Sequence, residues 1–96
     1  MCGIAGILDL SGERPIRASA LKTMGDSMVH RGPDGAGQWV SDDSKVGFAH
    51  RRLAIVDLSE AAAQPMSNGD GSVWVTFNGE IYNHVSLRRT LEQGGH

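Results

Sequence analysis

The chain has 96 residues and a formal net charge of −2, with 40% hydrophobic and 21% charged residues. That suits one small folded domain, or part of a larger one, and excludes a disordered chain. The near-neutral balance, with no basic stripe, gives no electrostatic footprint for nucleic acid, and no apolar run is long enough to span a bilayer. One cysteine, Cys2, excludes an internal disulfide framework. The start shows no basic n-region and no small-residue cleavage site, so no secretory signal is expected and a reducing cytoplasm is the default.

Taken in chain order, "GIAGILDL" is short and rich in Ile and Leu, and reads as a buried strand ended by a turn at Ser11-Gly12. In "IRASALKTMGDSMVH", Leu21, Met24 and Met28 recur at helical spacing and predict an amphipathic helix, weakened by Gly25. "HRGPDGAG" ends that helix, because Pro33 drives Gly32 out of helical conformation and Asp34-Gly35 favours a turn. "GQWVSDD" and "KVGFAH" predict two strands joined as a hairpin through "SDDS", and "RRLAIVDL" continues as a strand-like run. "SEAAAQPMSNGDG" is a loop with a helical turn in "SEAAA", and the β-branched and aromatic "SVWVTF" is a strand. "NGEIYN" turns the chain into the helix "NHVSLRRTLEQGG", with Asn83 as N-cap, Leu87 and Leu91 one turn apart, and Gly94-Gly95 as the stop. The order suggests an α/β layered architecture in which the first strand joins a sheet completed later. A chain this small buries little, and two or more strands would lack a second layer, so a truncated domain is expected.

Four stretches could carry chemistry. Loss of Met1 would give Cys2 a free α-amine, placing a thiol (ordinary pKa about 8.5) and a base (about 7.7–8.0) on one residue. That is the N-terminal-nucleophile variant of the nucleophile–base pair. It requires a held terminus, which "GIAGIL" as a central strand would provide, with Gly3 leaving room for substrate. The alternative is a small buried thiol of no chemical use. In "FNGEIYN", Asn78 and Gly79 read equally as a hairpin turn and as two donors for an oxyanion, and one turn could serve both. Arg51-Arg52 is either a solvated surface pair or a bidentate clamp for a carboxylate. "HRGPDG" offers His30, Arg31 and Asp34, with turn chemistry favoured over catalysis. Cys2, His30, His50 and His84 lack zinc-ligand spacing, and no Walker-type phosphate loop is present.

"MCGIAG", "HRGPDG", "HRRLAIVDL", "QPM" and "FNGEIYN" together resemble, in the same order, the class II glutamine amidotransferases, and most closely the glutaminase domain of glutamine-hydrolysing asparagine synthetases. The resemblance implies an α+β fold, the αββα sandwich of N-terminal-nucleophile hydrolases, with residues 1–96 supplying about its first half. It implies Cys2 as nucleophile and Asn78 and Gly79 as the oxyanion hole. It further implies Arg52 on the substrate carboxylate, Leu53, Ala54, Ile55 and Val56 as pocket wall, and Glu80 against substrate, while Arg51 occupies a tolerant position. The activity implied is hydrolysis of glutamine to glutamate and ammonia, feeding ATP-dependent asparagine synthesis from aspartate. No metal or cofactor belongs to these residues. ATP and Mg²⁺ go with an absent C-terminal synthetase domain, and the aspartate that grips the substrate amine lies further along than these residues. The implied partners are glutamine, that domain and a second copy in a homodimer, with neither nucleic acid nor membrane. Two alternatives stay open: an amidotransferase of the same branch with another ammonia acceptor, such as a β-lactam-forming or peptide-amidating relative, and an inert fragment, which is the expectation for the chain in isolation.

Overall fold

A computed structural model describes all residues from Met1 to His96. Five strands and two helices follow in the order β1 (Gly3–Leu8), α1 (Ala18–Asp26), β2 (Gly35–Val40), β3 (Val46–Arg52), β4 (Met66–Ser67), β5 (Trp74–Val75) and α2 (His84–Gln93), with a 3₁₀ turn at Glu60–Ala62. All strand pairing is antiparallel, so the architecture is α+β, and the α/β expectation drawn from element order is corrected. The first strand does join a sheet completed later.

β3 is the centre of a three-stranded sheet, with β1 and β2 on either side. The expectation that β1 is central is therefore wrong: it pairs on one side only, from Gly3 opposite Arg51 to Leu8 opposite Val46. The β2–β3 hairpin forms as expected. Ser41 closes it: its N–H donates to the Val46 carbonyl at 2.8 Å and its hydroxyl accepts the Val46 N–H at 3.0 Å. The Ser11-Gly12 turn also forms, gathered by the Asp9 carboxylate, which accepts the Ser11 hydroxyl at 2.7 Å and the Arg14 N–H at 3.1 Å.

Strand alternation gives β3 two different faces. Gly47, Ala49 and Arg51 point at α1. There Ile16, Leu21 and Ala49 form the buried core, with Ala5, Ile7, Met24 and Val40 packed around it. Gly47 is required: a Cβ would lie 2.8 Å from Leu21 and 2.9 Å from Ile16. Arg51 bonds the Gly25 carbonyl at 3.0 Å and the Asp26 carboxylate at 2.5 Å, tying down the end of the helix. Phe48, His50 and Arg52 point the other way, where the β4–β5 hairpin lies. Trp39 stacks on Trp74 at 4.8 Å and meets Phe48 at 5.5 Å, joining hairpin to sheet.

Three expectations are revised by local hydrogen bonding. "LAIVDL" is not strand, because β3 stops at Arg52, whose guanidinium donates to the Asp57 and Ser59 carbonyls and folds the following segment into a loop. "SVWVTF" keeps only Trp74–Val75 as strand, because the Phe77 N–H leaves the ladder for the Gln64 side-chain oxygen at 2.5 Å. Asn83 precedes α2 but makes no side-chain cap bond. α2 packs against no other element, and Leu87 and Leu91 stay 44% and 53% exposed. The radius of gyration is accordingly 14.9 Å, above the ~13 Å of a compact domain of about 100 residues. No helix is long and apolar enough to cross a membrane.

Leu21 is fully buried in a core with few members. Leu21→Ala is expected to cost about 2–5 kcal/mol, read as a lower urea midpoint with the slope of the transition unchanged.

Candidate active site

On the face of the sheet away from α1, a cleft of ≈ 440 Å³ opens at the end of β1 and β3. Its floor is the start of β1 and the end of β3, and its walls are the loop after β3 and the segment after β5. All nine residues singled out from the sequence line it: Cys2, Arg52, Leu53, Ala54, Ile55, Val56, Asn78, Gly79 and Glu80. They come from three separate stretches of chain. Ile55 and Val56 form an open rim, 72% and 77% exposed, and Glu80 is also exposed. His30 stays exposed outside the cleft.

Cys2 is held from two directions. Its sulfur accepts the Leu53 N–H at 3.3 Å and lies 3.8 Å from the Leu53 carbonyl, while Arg31 Nε donates to the Cys2 carbonyl at 3.3 Å. The thiol is partly buried, neither sealed in the core nor freely mobile. Met1 also lines the cleft and is 74% exposed, within reach of a processing enzyme. Gly3 plays a different part from the one expected. It is buried on the α1 side, where a Cβ would lie 3.0 Å from Met28 in the turn that follows α1, so it makes room for that side chain.

Arg52 faces the cleft while Arg51 faces α1, so the arginine pair is no solvated surface pair. Both terminal nitrogens of Arg52 already donate one bond each, to Ser59 at 2.7 Å and to Asp57. Each keeps a second N–H, and Nε–H is uncommitted, so an anion in the cleft can still be met by the fork. The loop it organises is pinned again by Asp34, whose carboxylate accepts the Ala54 N–H at 2.8 Å and whose own N–H donates to the Arg52 carbonyl at 2.9 Å. "HRGPDG" is thus turn chemistry in service of the cleft. Its Gly32 is compulsory, since a Cβ would sit 2.4 Å from the Arg51 carbonyl carbon.

Beyond β5 the chain keeps a strand-like alternation. Trp74, Thr76 and Asn78 are half-buried, and Val75, Phe77 and Gly79 are exposed. Asn78 and Gly79 both line the cleft. Reading the sequence named Arg31 only as part of a turn and His50 only as lacking zinc-ligand spacing, and gave Gln64 no role. Gln64 stands in the quoted "QPM" and Arg31 in "HRGPDG", but their bonds are to main chain and have no sequence signature. His50 is only 2% exposed, lines the cleft, and its Nε2 has no hydrogen-bond partner. Burial holds its imidazole below the usual histidine range. The Phe77 main chain beside it pulls the other way, and the Arg52 charge pushes it further down.

The sequence pattern of the glutamine amidotransferase domain matches residues 1–96. The chain belongs to that family. The chain is 42% identical over its whole length to glutamine-hydrolyzing asparagine synthetase 1 of Bacillus subtilis (strain 168) and 47% identical over 95% of its length to synthetase 2 of the same organism. It is 37% identical over 95% of its length to the amidase chry2 of Gibberella zeae. The chain spans 12–15% of the length of these relatives. No solved structure matches it.

The buried His50 carries a stability consequence. The folded chain resists protonating this imidazole, so the unfolded chain takes up the extra proton as pH falls through about 6.5. Stability should fall over that window, measured as the urea midpoint from pH 7.5 to 5.5, and His50→Gln should flatten the dependence.

Proposed function

We propose that this amidotransferase chain carries the glutamine-hydrolysing half of an ammonia-transferring synthetase, with Cys2 as nucleophile. The supporting observation is the convergence on one cleft of Cys2, the loop from Arg52 to Val56, and the trio Asn78, Gly79 and Glu80. The proposal includes the αββα sandwich. The sheet covered by α1 would be its first half, and Ile4 and Leu8, exposed on the cleft side of β1, would meet the second sheet.

After Met1 is removed, the Cys2 α-amine takes the thiol proton, directly or through water. The sulfur attacks the side-chain amide carbon of glutamine, and the carbonyl oxygen becomes an oxyanion facing the Asn78 amide and the Gly79 N–H. Such donors are each worth about 10²–10³ in rate. The carbon–nitrogen bond then breaks. The α-ammonium returns its proton to the departing nitrogen, which leaves as ammonia, and a γ-glutamyl thioester remains. Water attacks the thioester, releasing glutamate and restoring the thiol. The Arg52 fork meets the α-carboxylate, and Glu80 stands at the rim to contact substrate.

The ammonia acceptor lies outside these residues. No group of three or more His, Cys, Asp or Glu side chains in them could hold a metal ion. The likeness to two asparagine synthetases favours aspartate as acceptor, and the proposal places the protein in the cytoplasm. The likeness to the amidase chry2 favours, as a second reading, an acceptor of another class.

In the protein carrying this chain, diazo-oxo-norleucine, an electrophilic glutamine analogue, is expected to add covalently at Cys2, with Met1 absent by intact mass. Cys2→Ala should abolish labelling. A folded protein that resists labelling overturns the reading. Arg52→Ala should raise the KM for glutamine about 10-fold or more, equivalent to ~1.4 kcal/mol, while ammonia-dependent synthesis persists. Parallel loss of both activities would reduce Arg52 to its loop-holding bonds.

A further inference from the structure

Two consecutive peptide units stand between Asp34 and the Cys2 sulfur. Both are trans and planar, so the C=O and N–H of each point in opposite directions. In the unit joining Arg52 to Leu53, the Arg52 carbonyl accepts the Asp34 N–H at 2.9 Å, and the Leu53 N–H on the other side donates to the sulfur at 3.3 Å. In the unit joining Leu53 to Ala54, the Ala54 N–H donates to the Asp34 carboxylate at 2.8 Å. The Leu53 carbonyl on the other side lies 3.8 Å from the sulfur, in reach of the thiol proton. Asp34 thus holds one side of both units, and the sulfur meets the opposite side of both. Sheet register puts Asp34 there, because it directly precedes Gly35, the first residue of β2, which stands opposite Arg52. The two contacts suit two states of the sulfur. The carbonyl receives the proton of the resting thiol, and the N–H faces the sulfur once that proton has gone, when a donor to the anion is stabilising.

We propose that Asp34 is a positioning residue for the Cys2 nucleophile, acting through the two peptide units that flank Leu53. Asp34 does not line the cleft, so its effect on the sulfur travels through Leu53. The proposal rests on the reading of Cys2 as nucleophile. Attack needs the sulfur at a near-attack distance and angle from the amide carbon, and a misplacement of about 1 Å can cost on the order of 10²-fold in rate. Residue 34 has to supply one acceptor oxygen at one place. Its carboxylate makes its one side-chain hydrogen bond to Ala54 and joins no ion pair. An uncharged side-chain carbonyl of the same reach can therefore do the same work.

The test compares Asp34→Ala, Asp34→Asn and Asp34→Glu in the protein carrying this chain. Asparagine keeps an acceptor at the same reach and drops the charge. Glutamate keeps the charge and moves the acceptor by one methylene. In Asp34→Ala and Asp34→Glu, kcat for glutamine hydrolysis and the maximal rate of Cys2 labelling by diazo-oxo-norleucine are expected to fall together by about 10-fold or more, with KM for glutamine within about twofold. Labelling should still run to completion, because each molecule keeps its sulfur in the cleft and only the aim is lost. A merely structural residue would instead leave a fraction of molecules unlabelled. Asp34→Asn should keep most of the parental rate. Parental rates in Asp34→Ala, an equal loss in Asp34→Asn, a raised KM with kcat unchanged, or incomplete labelling each overturn the proposal. Where Asp34→Ala does not fold, the contrast between Asp34→Asn and Asp34→Glu decides the matter, and equal rates in those two overturn it. If the parent protein itself takes no label from diazo-oxo-norleucine, the underlying reading of Cys2 fails. A labelled parent with unaffected variants fails this proposal alone.

Discussion

The site depends on one strand being paired on both edges. β3 is fixed laterally by β1 and β2, so its side chains have no freedom to choose a face, and period-two alternation decides which face each one serves. Gly47, Ala49 and Arg51 build the contact with α1. Phe48, His50 and Arg52 build the floor that the hairpin and the cleft share. A slip of one residue in register would exchange the two sets, putting an arginine and a histidine into the only hydrophobic core and an alanine and a glycine under the cleft. Gly47 makes such a slip costly, because any side chain there would press on Leu21 and Ile16.

The adjacent arginines show how much of this a sequence can convey. As letters, Arg51 and Arg52 are equivalent. In the fold, one anchors the last turn of a helix through Gly25 and Asp26, and the other gathers a loop through Asp57 and Ser59 while facing the cleft. Only the parity of β3 separates them. The resemblance assigned Arg52 to the site and left Arg51 as tolerant; the geometry supplies a structural role for each.

What was legible follows from locality. The helix α1, the β2–β3 hairpin and the Asp9 turn are specified by residues a few positions apart, and they form as expected. The strand ends were not legible, because they are set by competition from distant side chains. "LAIVDL" has every credential of a strand, but Arg52 takes the carbonyls that a partner strand would need. "SVWVTF" loses its second half to the Gln64 side chain. The nine residues named from the sequence converge on one cleft, and the resemblance that names them rests on five stretches of sequence, whereas the groups that hold that cleft together are tied through main-chain bonds. Asp34 holding Ala54, Arg31 holding Cys2 and Gln64 holding Phe77 depend on where backbone comes to lie, which no local pattern encodes.

The hold on Cys2 has a kinetic side. Its sulfur is fixed by a residue 51 positions later, and its carbonyl by one 29 positions later. Local contacts form quickly, and closures of this span come late in folding. The helix and hairpin can thus assemble while the thiol end of the chain is still unpaired. During synthesis β1 must wait for β3 to emerge, carrying an apolar edge and the only reactive sulfur in the chain. Docking of β1 then completes the sheet and seats the sulfur in a single event, so the rate at which a thiol reagent loses its unrestricted access to Cys2 is a clock for the last step of folding.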